Sequence, residues 1–83
     1  REGINPPVAI ELKPLHDKNG RRVSLEGRYE QLRRLFEKDR MNQIVQYLRN
    51  YDYVILTNLD DVYYFNREAT HEFKPFHKEK FAG

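Results

Sequence analysis

The alternation of apolar and polar residues near the start of the chain predicts a short strand. From Val8 to Lys13 every second residue is apolar and branched, whereas Ala9, Glu11 and Lys13 take the positions between. Because successive side chains of a strand point to opposite faces, the branched residues are expected on one face and the two charged residues on the other. Pro14 ends the strand, since proline withholds a backbone donor.

Two helices are predicted next, after a turn-forming stretch at residues 16–22. Ser24 is the expected N-cap of a helix that runs to about Asp39, along which apolar residues recur at helical spacing. A second helix is expected from about Asn42 to Tyr51. The break between the two is also compatible with a kink in one longer helix.

The second half of the chain predicts two more strands and a basic end. Residues 53–58 are almost continuously apolar, which is typical of a strand covered on both faces. Asp60 and Asp61 are expected to form a turn, and residues 62–65 to return as an antiparallel strand. The tail, residues 67–83, is basic and aromatic, and we expect it either to pack on the sheet as a short amphipathic segment or to fray.

Taken in order, these elements predict an α/β fold with a small mixed β-sheet. A strand followed by helices and a second buried strand gives a right-handed crossover between parallel strands. Residues 1–7, which include Pro6 and Pro7, are expected to be an irregular lead-in to a βααββ unit at residues 8–66. With 83 residues and no cysteine, the chain is expected to be a single domain without disulfides.

Several classes of protein are disfavoured by what the sequence lacks. The chain has no apolar run long enough to span a membrane and no signal-peptide pattern, so we expect a cytoplasmic protein with no membrane partner. It begins at Arg1 without an initiator methionine, which suggests a piece of a longer protein. It has no glycine-rich phosphate loop and no serine in a nucleophile elbow, which disfavours nucleotide binding and acyl transfer.

The charge balance weakly favours an anionic partner. The chain has 15 basic and 13 acidic residues, a net charge of +2 and a pI near 9.0. Arg33, Arg34 and Lys38 lie on the first predicted helix, where they are candidates for contacts with a DNA backbone. The alternative is a solvated helix face on which these cations alternate with acidic residues.

Three short motifs occur in order along the chain. They are Glu-x-Lys at Glu11 and Lys13, Gln-x-x-x-Tyr at Gln43 and Tyr47, and Val-Ile-Leu-Thr-Asn at residues 54–58. In this order they resemble the PD-(D/E)xK nuclease superfamily, and within it the nuclease domains of Type I, Type IIG and Type ISP restriction enzymes. The resemblance covers residues 8–66 and implies the C-terminal half of a restriction-endonuclease-like core.

The resemblance implies a role for each matching residue. Glu11 would bind a Mg²⁺ ion, helped by the carbonyl oxygen of Leu12, and Lys13 would orient the attacking water and balance charge on the phosphate. Gln43 and Tyr47 would support the site or hold a backbone phosphate. The implied substrate is double-stranded DNA, and the implied parent is a restriction or restriction-modification enzyme whose chain can also carry methyltransferase or motor domains.

One part of the family pattern has no match. The first catalytic carboxylate of the family lies on a strand before Glu-x-Lys, and only Glu2 precedes Glu11 among the acidic residues of this chain. The surroundings of Glu2 do not resemble that strand. We therefore expect the chain alone to be inactive and the intact parent to hydrolyse DNA phosphodiesters.

Two other functions are left open. The first is a non-catalytic nucleic-acid-binding module in which the basic helix contacts DNA by charge alone. The second is a protein-interaction domain that pairs through a strand edge at residues 62–65. The nuclease interpretation requires that Glu11, Lys13 and Gln43 converge at one end of the sheet, although convergence alone would not prove activity.

Overall fold

The fold is a four-stranded mixed sheet with helices packed on one face. The computed structural model describes residues 7–38 and 41–80. The strands are β1 (Val8–Leu12), β2 (Tyr53–Thr57), β3 (Asp61–Asn66) and β4 (His77–Lys80), and they lie side by side in that order. β1 and β2 are parallel, whereas the other two pairs are antiparallel. The predicted α/β fold with a small mixed sheet is confirmed.

Side-chain caps determine where the two longer helices begin. The helices are α1 (Leu25–Glu37), α2 (Gln43–Leu48) and α3 (Ala69–Glu72). The Ser24 hydroxyl accepts a hydrogen bond from the backbone N–H of Gly27, as expected for an N-cap. Asn42 caps α2 in the same way through Val45, and its amide also donates to the carbonyl of Leu32. This buried amide therefore joins the end of α1 to the start of α2.

The helix ends differ in part from the prediction. α2 ends at Leu48, before the predicted end at Tyr51, although the N–H groups of Asn50 and Tyr51 still share the carbonyl of Tyr47 in a final turn. The predicted end of α1 at Asp39 lies outside the described residues. None of the described helices is long and apolar enough to cross a membrane.

The core lies between the helices and one face of the sheet. Its buried apolar residues are Leu25, Tyr29, Leu32, Ile44, Leu48, Val54, Leu56, Tyr63, Phe65, Ala69 and Phe73. The Tyr29 ring stacks on that of Phe73 with the centroids 5.4 Å apart, and its hydroxyl donates to the Phe73 carbonyl at 2.7 Å. The contact satisfies a buried hydroxyl and fixes α1 against the end of α3.

The opposite face of the sheet is only partly covered by the described residues, with Thr57 and Val62 buried on it, so the prediction that β2 is covered on both faces is wrong for the first part of the strand. Val54 and Leu56 of β2 are buried, whereas Ile55 is half-buried and Tyr53 is exposed. On β1 the alternation is as predicted, but its branched residues face outward, with Ile10 65% exposed. The helices cover only one layer, which leaves the second apolar face of these two strands in contact with solvent.

The tail forms more regular structure than either prediction allowed. Residues 69–72 form the one-turn helix α3, and Phe73 follows in the left-handed conformation, which turns its ring into the core. β4 then pairs with β3 although all four of its residues are exposed. Phe81, also in the predicted tail, lies outside the described residues.

The position of β4 also removes one of the alternatives drawn from the sequence. Residues 62–65 lie in β3, which is hydrogen-bonded to β2 on one side and to β4 on the other. An interaction domain that pairs through the edge of residues 62–65 is therefore wrong. Among the strands of residues 7–38 and 41–80, β1 and β4 lie at the edges of the sheet.

Candidate functional site

Glu11 lies on strand β1, and Lys13 is the residue that follows the strand. The side chains of both residues point to the helix-covered face of the sheet. Their side chains are only 14% and 20% exposed, respectively. The backbone N–H of Lys13 donates to the carbonyl of Thr57 at 2.8 Å, which extends the parallel pairing beyond Leu12 and fixes the direction of the lysine. Both charged groups are therefore held against α2, although β1 is an edge strand.

The helix α2 contributes the other half of the site. Gln43 and Tyr47 are one turn apart on the helix and so project on the same side. The Tyr47 hydroxyl donates to Glu11 Oε1 at 2.9 Å, and Lys13 Nζ donates to Gln43 Oε1 at 2.6 Å. Lys13 Nζ also lies 3.5 Å from Glu11 Oε2. These four residues, here called the Glu11 cluster, form one continuous chain of polar contacts.

The electrostatics of the Glu11 cluster keep its tyrosine protonated. The hydrogen bond to the Glu11 carboxylate, followed by the repulsion between two negative charges, raises the pKa of Tyr47 above its usual value near 10. Tyr47 therefore acts as a donor that holds one carboxylate oxygen. Gln43 and Glu11 share the ammonium of Lys13, so the lysine is oriented by two acceptors.

The sequence motif at the end of β2 builds a turn. Asn58 Oδ1 accepts from the backbone N–H groups of Asp60 and Asp61, and Thr57 Oγ1 donates to the carbonyl of Asp61. Leu59 sits between them with a φ of 79°. Thr57 and Asn58 thus shape the β2–β3 connection.

A cleft lies next to the Glu11 cluster. It has a volume of about 470 Å³ and is lined by Leu12, Lys13, Pro14, Leu15, His16, Asn58 and Leu59. Lys13 belongs to both the cleft and the cluster. Lys13 is the only lysine or arginine among the residues that line the cleft.

The three basic residues predicted to contact DNA have different environments. Arg33 donates through Nη1 to the carbonyls of Glu72 and Phe73 and pairs with Glu37, so its guanidinium is committed to the end of α3 and to its own helix. The hydrogen bond with Tyr29 is the main cause that raises its pKa. Arg34 and Lys38 are exposed. Contact of these residues with DNA stays a prediction.

The sequence analysis identified residues 16–22 only as a turn and missed an ordered hairpin. The backbone N–H groups of Asp17 and Val23 donate to the carbonyls of Arg21 and Leu15, at 2.9 Å each. This hairpin follows Lys13 almost directly. Its signal in the sequence was the Asn19-Gly20 pair, which is typical of a tight turn between two short extended segments.

The Glu11 cluster offers a single carboxylate to a divalent cation. Among the described residues, no group of three or more His, Asp or Glu side chains could hold a metal ion. Mg²⁺ often binds through one or two carboxylates, with water and substrate phosphate oxygens completing its shell. Glu11 can supply one such carboxylate, and no more than that is offered by the cluster itself.

Comparison of the chain with protein-family models, with curated proteins and with solved structures finds no match.

Proposed function

We propose that this chain is part of the Mg²⁺-dependent DNA endonuclease domain of a cytoplasmic restriction or restriction-modification enzyme. The observation that carries the proposal is the Glu11 cluster. Two motifs that are 30 residues apart, at Lys13 and Gln43, contact each other directly, and Tyr47 contacts Glu11. The matching residues of the first two motifs, Glu11 with Lys13 and Gln43 with Tyr47, thus form a single group in space.

The chemistry of the cluster suits phosphodiester hydrolysis. When bound at Glu11, Mg²⁺ supplies a Lewis acid that polarises the phosphoryl oxygen and lowers the pKa of the attacking water. Lys13 places a cation beside that carboxylate, where it stabilises charge that develops on the phosphate. Tyr47 fixes the carboxylate and Gln43 fixes the ammonium, so both groups are oriented before substrate arrives.

The cluster holds one carboxylate where the nuclease pattern has two. We place the second in another part of the intact enzyme, and we propose that the chain alone does not cut DNA. The proposal that the same parent carries methyltransferase or motor domains rests only on the resemblance. The same holds for its recognition of a DNA sequence.

Cleavage of long duplex DNA by the intact enzyme tests the proposal. Glu11→Gln and Lys13→Met preserve side-chain size, which matters because both residues lie largely under α2 and alanine would also remove packing. Each change should abolish cutting in Mg²⁺, while Arg49→Ala, an exposed cation beyond the end of α2, should not. Circular dichroism and melting curves should show that all three variants fold.

Two outcomes would contradict the proposal. One is undiminished cutting by Glu11→Gln or Lys13→Met, which would remove the cluster from the mechanism. The other is cutting at the normal rate in excess chelator. Binding of DNA by the chain that is salt-sensitive but unchanged by Glu11→Gln, in an enzyme that never cuts, would instead support a non-catalytic nucleic-acid-binding module.

A specific observation favours protein interaction as a second candidate function. Val8, Ile10 and Leu12 of β1 are exposed side by side with Tyr53 on the open face of the sheet. Contiguous apolar surface of this kind often marks a contact with another protein segment. A concentration-dependent dimer with no DNA affinity would support this candidate over the nuclease.

A further inference from the structure

The hairpin that follows Lys13 is rigid for a segment of its length. Besides its two extended hydrogen bonds, the N–H of Gly20 donates to the carbonyl of Asp17 at 3.0 Å, and Gly20 adopts a φ of +80° that closes the turn. Asp17 Oδ1 accepts from the N–H groups of Asn19 and Arg21 at 2.8 and 2.9 Å. The tip is therefore ordered by its own hydrogen bonds.

Two further contacts anchor the hairpin to the rest of the fold. Arg28 of α1 donates through Nη2 to the carbonyls of Pro14 and His16, at 3.2 and 3.4 Å. Arg22 forms an ion pair with Asp60 in the β2–β3 turn. The hairpin is thus held between α1 and the turn that ends β2, and its base lines the cleft beside Lys13.

The tip of the hairpin carries unpaired positive charge. Lys18 and Arg21 are exposed, and neither forms an ion pair among the described residues. The nearest carboxylate in sequence, Asp17, is occupied with backbone N–H groups. By contrast, Lys78 and Lys80 of β4 lie beside Glu26 and Asp61, so their charges are largely balanced.

We propose that residues 15–23, here called the basic hairpin, contact the phosphate backbone of duplex DNA beside the Glu11 cluster. The inference rests on the proposed function for its ligand, since DNA is the polyanion that such a cluster would cut. Lys18 and Arg21 stand on an ordered backbone segment that begins two residues after Lys13. Binding of phosphates there releases counterions from DNA at little cost in chain ordering.

The basic hairpin therefore acts as a positioning element. It holds the duplex by its backbone and reads no base sequence, because phosphate contacts set register and orientation only. The Arg22–Asp60 pair and the Arg28 contacts hold the hairpin against the β2–β3 turn and α1. A strand held at the tip is thus presented to the cleft that Lys13 lines.

Equilibrium binding of a short fluorescent duplex to the chain in chelator tests this inference without any cleavage. The test variant is Lys18→Gln/Arg21→Gln. The matched control is Arg49→Gln/Lys74→Gln, which removes the same charge from two exposed cations remote from the hairpin. Affinity is measured between about 50 and 200 mM salt, and the slope of log affinity against log salt is compared.

The test variant should bind more weakly at the lowest salt, and the magnitude of its slope should fall by roughly 1.8, about 0.9 for each lost phosphate contact. The control pair should leave the slope close to that of the original chain. Lys18→Arg/Arg21→Lys should restore binding, because it keeps both charges. Melting curves should show that each variant is folded.

Three results would overturn the inference: no binding by the original chain at the lowest salt, an unchanged slope in the test variant, or an equal loss in the control pair.

These results are distinguishable from failure of the proposed function. Loss of cutting in Glu11→Gln with normal binding by the hairpin variant would retain the nuclease and remove the hairpin. A reduced slope in an enzyme that never cuts would retain the hairpin and remove the nuclease.

Discussion

The hydroxyl of Tyr47 donates to Glu11 Oε1 at 2.9 Å and so joins a helix to a strand 36 residues earlier in the chain. The contact joins residues of two motifs that the sequence analysis related only by their order along the chain. It also has a spectroscopic consequence, because the tyrosine titrates beside a carboxylate.

Replacement of Glu11 by glutamine should lower the pKa of Tyr47 toward its ordinary value near 10. The carboxylate favours the neutral phenol through its hydrogen bond and repels the phenolate, so its removal makes deprotonation easier. Ultraviolet absorbance of tyrosinate, followed with rising pH, should show one of the six tyrosines shifted to lower pH in Glu11→Gln. The same change made in a Tyr47→Phe background should leave the curve unaltered.

The raised pKa of Tyr47 also determines how the free energy of unfolding changes with pH. Since the folded-state pKa of Tyr47 is raised, its contribution to stability is complete below the unfolded value near 10 and is lost as the pH rises through the folded value. Urea midpoints of the original chain should therefore fall more steeply above that pH than those of Tyr47→Phe. An equal alkaline fall in both chains would contradict the assignment.

Leu56 should be the most sensitive apolar position of β2. Its side chain is fully buried between the sheet and the helices, so Leu56→Ala should cost about 2–5 kcal/mol through lost transfer energy and a cavity. Ile55→Ala on the open face of the same strand is the control and should cost distinctly less, since Ile55 is only half-buried. Chemical denaturation measures both, and similar losses would show that the open face is covered in solution.

Replacement of Arg33 should lower the free energy of unfolding more than replacement of its sequence neighbour Arg34. Arg33→Ala removes donors from the carbonyls of Glu72 and Phe73 and should lower the free energy of unfolding by about 1 kcal/mol. Arg34→Ala removes an exposed side chain and should change it by less than about 0.5 kcal/mol. Equal effects in denaturant titrations would mean that the Arg33 contacts contribute nothing to stability.

The sequence predicted which residues of β1 share a face, but not which face lies inside. The alternation separates Ile10 from Glu11 in either case. Burial depends on which side the helices cover, and here they cover the side that bears the charged residues. An apolar pattern alone would place Ile10 inside, so the outward position of this strand's branched residues is a tertiary effect.

The end of the chain was hard to predict because its pairing does not depend on an apolar pattern. The four residues of β4 are polar, and their backbone ladder with β3 is supplemented by the ion pair of Lys80 with Asp61. α3 has only four residues, too few to show helical periodicity. Both elements are recognisable only once β3 and the pocket for Phe73 exist.

The site shows the same division between local and tertiary information. The spacing of Glu11 with Lys13, and of Gln43 with Tyr47, predicted that each pair projects in one direction. Tyr47 contacts Glu11, and Gln43 contacts Lys13. This pairing depends on the position of α2 along β1. No short-range pattern encodes that offset.

The two edges of the sheet differ in how readily a further strand could pair with them. β4 offers a row of charged and polar side chains, from His77 to Lys80, which discourages another strand from joining there. β1 is flanked by outward branched side chains and carries Glu11. A strand that extended this sheet would therefore add at β1, and its own residues would stand beside the carboxylate.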